Sequence, residues 1–236
     1  SSGVTASTAN GCTSDVEDYG NDWYRIIVNV TTGSSITPSS PSNLIRVIGD
    51  NTEEVLIYGV QFEQGSYVSS YLPSYGTSTS RSADSCSLTN ASNLIGQSEG
   101  TIYIETTPLD DVTTYTERLI KLVDGGSDLI GVNRYGNSSL NYYGVDSGGT
   151  QWSFNVANVF EGNVKTKIAI AYKQNDIIIY VDGIQKGTDT SANIPTTNTI
   201  YFANDASGGL TYVGKHTQAI LFPTRLTNDQ LAEITK

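Results

Sequence analysis

The sequence has no methionine, a single histidine, two cysteines and few basic residues, and each shortage closes off a class of chemistry. One histidine, His216, excludes multi-histidine metal sites. It also leaves only one base for a nucleophilic serine, and no nucleophile-elbow sequence accompanies it. Cys12 and Cys86 are too few for a disulfide scaffold and too far apart for a zinc motif. Two buried thiols are therefore expected, with one bridge as the alternative. Thirteen basic against twenty-four acidic residues give a net charge of -11, so a nucleic-acid backbone is repelled. Strongly anionic glycans are disfavoured by the same field unless calcium bridges the two, whereas neutral sugars are unaffected. No apolar run approaches the ~20 residues of a membrane span, the stretch 177–181 being among the longest. No membrane insertion is expected, and no signal-like n-region or h-region opens the chain.

What the chain does have is turn and strand chemistry. Twenty-three glycines, fifteen tyrosines and abundant serine and threonine in 236 residues favour an all-β fold, because β-branched and aromatic side chains suit a pleated, half-buried surface. Early strands are expected at 23–30, 44–48 and 55–63, the last placing Leu56, Tyr58, Val60 and Phe62 on one half-buried face. The Ser/Thr/Gly-rich stretch 65–91 reads as an irregular connection. The expected organisation is a first domain over 1–75, a linker over 76–91 and a second domain over 92–236. Beyond the linker, strands are expected at 101–106, 118–123, 129–134, 140–143, 151–156, 164–172, 177–181, 199–203, 210–213 and 218–222, enough for an antiparallel β-sandwich. Gly125-Gly126, Gly148-Gly149, Asn175-Asp176, Asp182-Gly183 and Gly208-Gly209 supply the positive φ angles that hairpins need. The one helix expected starts at a capping box, Thr227 with Gln230, puts Leu231 and Ile234 on one face, and closes an end of the sandwich.

Two stretches carry a resemblance to modules of bacteriophage tail and virion proteins. Asp22-Trp23-Tyr24-Arg25-Ile26, then Ile57-Tyr58-Gly59-Val60-Gln61-Phe62-Glu63-Gln64-Gly65-Ser66, Ser70-Tyr71-Leu72-Pro73 and Ser80-Arg81-Ser82-Ala83-Asp84, resemble the second half of a carbohydrate-binding-module-like jelly roll. The hairpin Ile168-Ala169-Ile170-Ala171-Tyr172 to Ile177-Ile178-Ile179-Tyr180-Val181-Asp182-Gly183 resembles the concanavalin A-like, LamG-type lectin/glucanase fold. So does the closing segment Ala219-Ile220-Leu221-Phe222-Pro223-Thr224-Arg225-Leu226-Thr227. The resemblance implies a partial jelly roll followed by a two-sheet jelly roll, often a glycan binder, in a phage tail or capsid surface and otherwise extracellular. It also implies other virion proteins as partners and, by analogy with tail fibres, a homotrimer. Neither ligand nor site follows from the fold, which carries lectins, enzymes and scaffolds alike.

Sugars stack their apolar C–H faces on exposed rings while amides and carboxylates take the hydroxyls. The stretch 141–155 concentrates such groups: Asn141, Tyr142, Tyr143, Asp146, Trp152 and Asn155 are the candidate carbohydrate-binding residues. Tyr142 and Tyr143 must face opposite ways in a strand, so one of them belongs to the core. Core packing is also the default for Trp152. The acidic run 15–22 and the pair Asp110 and Asp111 are calcium candidates, against the ordinary reading of solvated loops. A glycosidase needs two converging carboxyls about 5 to 9.5 Å apart, and the Glu-x-Asp-x-x-Glu pattern common in glucanases of the resembling fold is missing. The expectation is a non-catalytic module binding a glycan, a cell-surface polysaccharide or another receptor, the alternatives being a structural tail-fibre or head-decoration protein and a polysaccharide-degrading enzyme.

Overall fold

The computed structural model describes residues 12–30, 56–63, 68–80, 86–109, 116–136, 138–204 and 210–236. The chain divides into two units, Ser1–Ser80 and Arg81–Lys236.

In the first unit β1 (Cys12–Gly20) and β2 (Trp23–Val30) form an antiparallel hairpin. Asn21 and Asp22 take φ of 52° and 63° at its tip, the left-handed geometry of a tight two-residue turn, which these two residue types tolerate well. The acidic run is thus mostly strand, not the loop expected. Alternation sends neighbouring carboxylates to opposite faces, and Glu17 faces Arg25 across the ladder with 3.8 Å between charged atoms. The strand expected at 44–48 lies outside the described residues. Residues 56–63 join no ladder among the described residues, and Leu56, Tyr58 and Phe62 are 80, 76 and 73% exposed instead of half-buried. Polar side chains hold this segment in place of strand pairing. The Leu72 N–H donates to Gln61 Oε1 at 2.7 Å and the Ser69 N–H to Glu63 at 2.7 Å, while Arg25 donates to the Ser69 carbonyl. The Ser69 hydroxyl, bonded to the Glu63 carboxylate, holds that group below its usual range. Arg25, Gln61, Glu63 and Leu72, which belong to three of the stretches that carry the jelly-roll resemblance, are thus linked to one another directly or through Ser69.

The second unit is an all-β antiparallel sandwich. Its strands are β3 (Cys86–Leu88), β4 (Glu99–Pro108), β5 (Thr116–Val123), β6 (Leu129–Tyr135), β7 (Ser139–Asp146), β8 (Gly149–Val156), β9 (Thr166–Lys173), β10 (Asp176–Val181), β11 (Ile184–Asp189), β12 (Thr199–Phe202) and β13 (Gly214–Phe222), followed by α1 (Asn228–Ile234). One sheet has the order β11-β10-β9-β4-β13 and the other β3-β12-β5-β6-β7-β8. Their inner faces share one core, in which Ile102, Ile104, Ile168, Ile170 and Ile179 join Ile120, Leu122, Val132, Leu140 and Trp152. The helix begins at the expected capping box, with Thr227 and Gln230 satisfying each other's backbone N–H. It does not close an end of the sandwich. Leu231 and Ile234 pack with Tyr103, Ala169, Ala171, Ile178 and Tyr180, covering the outer face of the five-stranded sheet, whose small alanines leave room for it.

Three further expectations change. Residues 210–213 are not a strand. Strand β11 forms although Gln185, Lys186 and Thr188 give it no apolar face, because as an edge strand it needs only the β10 ladder. Strand β3 lies inside the stretch read as irregular, pairs with β12, and carries Cys86, which is exposed and unbridged. A three-residue edge strand has no interior in which to bury that thiol.

Candidate functional site

Over the rows from Arg118 to Asn155 the outer face of the six-stranded sheet is polar, while its inner face is aromatic. Tyr142 and Phe154 stack with ring centroids 6.3 Å apart, and Tyr142 lies 5.7 Å from Trp152, all three directed inward. Side-chain alternation then directs Asn141, Tyr143 and Asn155 outward. The register carries the pattern across four strands, since Arg118 stands opposite Asn133, Asn133 opposite Asn141, and Asn141 opposite Asn155. Thr116 and Tyr135 form the next row. Leu210 is brought alongside by its carbonyl, which accepts the Arg118 backbone N–H at 2.7 Å. Together these eight residues line an open cleft of about 360 Å³.

Arg118 dominates the chemistry of this cleft. It is only 4% exposed, and among the described residues no carboxylate lies within ion-pairing distance. Its Nη1 donates to the Tyr143 hydroxyl at 3.0 Å, while its Nε has no partner there. A buried guanidinium without a counter-charge is costly and is stabilised by an anion that reaches it. Beside it, Asn133 Nδ2 donates to Asn141 Oδ1 at 3.3 Å, and Asn141 Nδ2 donates to the Phe154 carbonyl at 3.1 Å. The buried Asn133 Oδ1 has no partner among the described residues, so the floor offers an acceptor as well as donors.

The structure brings three of the expected residues, Asn141, Tyr143 and Asn155, into one cleft. It corrects two others. Trp152 is 2% exposed and Tyr142 fully buried, and a ring enclosed by core side chains cannot stack on a sugar. Burial also holds the Tyr142 hydroxyl well above its ordinary range. Asp146 lies at the far end of β7, where it faces Gly149 across the β7–β8 hairpin, and does not line the cleft. Asp110 and Asp111 lie outside the described residues. Thr116, Arg118, Asn133, Tyr135 and Leu210 escape a reading confined to one hairpin. The signal for Asn133 and Tyr135 is their shared parity with Gly131 on β6.

A second cleft, of about 400 Å³, is lined by Asn93, Leu94, Phe202, Ala219, Ile220, Leu221 and Pro223. It is predominantly apolar.

No known family profile matches the chain, and no curated protein matches it in sequence. Solved structures do share its fold. The CBM40 of the Ruminococcus gnavus IT-sialidase aligns with a TM-score of 0.53 at 13% identity, over 62% of this chain and 87% of that one. The same CBM40 bound to α2,6 sialyllactose aligns with a TM-score of 0.52 at 13% identity, over 63% of this chain and 92% of that one. Leech intramolecular trans-sialidase, complexed with 2,7-anhydro-Neu5Ac, aligns with a TM-score of 0.51 at 12% identity, over 59% of this chain but 23% of its own length. At such identities the likeness establishes the fold, an antiparallel β-sandwich.

Proposed function

We propose that the chain is a non-catalytic carbohydrate-binding module that takes the carboxylate-bearing end of a glycan in the cleft over β5 to β8. The observation that carries this reading is Arg118, a buried cation at the cleft floor whose described neighbours are a hydroxyl and amides. A sugar carboxylate supplies a counter-charge that the described residues do not, Asn133, Asn141 and Asn155 meet ring hydroxyls, and Tyr135, half exposed at the rim, offers a ring face. Support also comes from the similar fold bound to α2,6 sialyllactose, a glycan that ends in such a group. The net charge of -11 opposes anions at long range, but salt screens it beyond about 8 Å. At contact distance the guanidinium decides. The cleft lining contains no carboxylate among the described residues, whereas glycoside hydrolysis uses a carboxyl pair, and for that reason we read it as a binding site.

The biological setting we propose is receptor recognition by a phage tail or virion protein, on the strength of the motif resemblance in the first unit. The homotrimer, the virion partners and a calcium ion near Asp110 and Asp111 belong to that same proposal. Exposed Trp23, Ile26 and Val28 on β2 favour a second reading as an assembly piece. A glycan array pairing sialylated with desialylated oligosaccharides, run with and without calcium, tests the first. Signal confined to the sialylated members is the expected result. An array blank under both conditions, together with a sedimentation profile of a stable oligomer, would transfer the case to the second reading.

A further inference from the structure

We propose that Tyr143 is the specificity-determining residue of the cleft and that Gly131 is its positioning residue. The inference rests on the reading of the cleft as a carboxylate-glycan site.

Gly131 and Tyr143 are partners in the β6–β7 ladder. A Cβ at residue 131 would stand 2.5 and 2.6 Å from two ring carbons of Tyr143 and 2.8 Å from Nη1 of Arg118. All three distances are shorter than carbon contacts allow. Glycine therefore leaves the space in which the tyrosine ring and the guanidinium meet, with the hydroxyl 3.0 Å from Nη1. Its backbone is not left-handed, so what glycine contributes here is room and not conformational freedom. Two other ladder pairs repeat the arrangement, Gly144 under Trp152 and Gly100 under Tyr172. Both of those rings are buried in the core, and packing accounts for them. Tyr143 faces outward along the cleft, where there is no core to fill.

The consequence is a matched pair of donors. The Tyr143 oxygen accepts from the guanidinium, so its own proton is directed elsewhere and is free for a ligand oxygen. A carboxylate uses both donors, and hydrogen bonds of this kind are strengthened by charge. A neutral hydroxymethyl or carboxamide group in the same place forgoes the ion pair and leaves a buried donor unmatched. Sites built around polar groups discriminate most strongly against ligands that leave those groups unpaired.

The test is calorimetric titration of the full chain with α2,6 sialyllactose and with lactose, for wild type, Gly131→Ala and Tyr143→Phe. Wild type should bind sialyllactose and not lactose. Tyr143→Phe retains the ring and removes one hydrogen bond to a charged group, a loss of about 10- to 100-fold in affinity. Gly131→Ala should lose at least as much with its melting temperature nearly unchanged, because the colliding atoms are the outer ends of two side chains. A crystal structure of that variant should show the ring displaced. If both folded variants bind sialyllactose like wild type, the roles given to Tyr143 and Gly131 are wrong while the glycan reading stands. If wild type binds neither sugar, or binds both equally, the carboxylate reading fails and these roles fall with it. Should Gly131→Ala not fold, Tyr143→Phe alone decides the role of the hydroxyl.

Discussion

Trp152 lies across Gly144, its partner in the β7–β8 ladder, so closely that a Cβ at residue 144 would stand 2.2 Å from two carbons of the indole ring. This contact explains why the tryptophan serves the core and not the ligand. The missing side chain opens a slot, and the indole fills it beneath Tyr142.

A Gly144→Ala variant should accordingly be destabilised by about 2 kcal/mol or more, since overpacking a dense core costs about 1 to 3 kcal/mol and here the displaced group is a large ring. Trp152→Ala should cost about 3 to 5 kcal/mol through the cavity it leaves. Urea denaturation followed by circular dichroism measures both. A Trp152→Ala protein as stable as wild type would mean that the indole is not in the core, and would restore it as a candidate for sugar stacking.

The same sheet buries an ion pair on its inner side. Arg134 Nη1 lies 3.3 Å from Glu117 Oε2, with side chains 0 and 7% exposed, and the two residues are opposite each other in the β5–β6 ladder. Removing one partner takes a counter-charge away from a buried ion, so Arg134→Leu or Glu117→Leu should each be destabilising, by up to about 3 to 5 kcal/mol. The double replacement should recover much of that loss, because an apolar pair of similar volume carries no desolvation penalty. A double variant as unstable as the sum of the singles would show that the two charges are not energetically coupled.

Acid should act through His216. Its ring packs 4.8 Å from that of Tyr212, both ring nitrogens are buried without a partner among the described residues, and burial lowers its pKa from 6.5 to about 4. The unfolded chain therefore binds a proton that the folded chain refuses. The contribution to stability is fully present above pH 6.5 and is lost as pH falls from there through 4, by at most about 3 kcal/mol. Thermal melts at pH 7.5 and 4.5 should show a drop that is visibly smaller in His216→Phe. Equal drops in the two proteins would assign the acid sensitivity to the carboxylates instead.

Much of this sandwich is legible in the chain because β4 to β10 alternate or run apolar between glycine and Asn/Asp turns, and those signals are local. Which face of β7 packs inward is not local. Tyr142 and Tyr143 are chemically identical, and only the opposing sheet decides that the first is core and the second lines the cleft. Arg118 is harder still to place. A bulge at Leu119 shifts the β5–β6 register between Arg118 and Ile120, so simple alternation counted from the apolar residues puts the arginine on the wrong face. The apolar character of Leu210 suits a strand, but the residue takes φ of 50°, a left-handed turn no leucine advertises. The acidic composition of β1 likewise hides a strand that the Asn21-Asp22 turn alone betrays.

The division after Ser80 leads to a truncation experiment with a defined cut. A chain of residues 81–236 should fold alone, since it retains both sheets, the shared core and α1. Cutting instead after residue 88, within the stretch that reads as irregular, removes β3, whose ladder covers the outer edge of β12 from Ile200 to Phe202. It also leaves Ala91, whose N–H donates to the Asn198 carbonyl at 2.6 Å, close to a frayed end. The shorter piece should melt several degrees lower and aggregate more readily through the exposed β12 edge. Equal melting temperatures for the two pieces would make β3 dispensable, and failure of the longer piece to fold would mean that the second unit depends on the first.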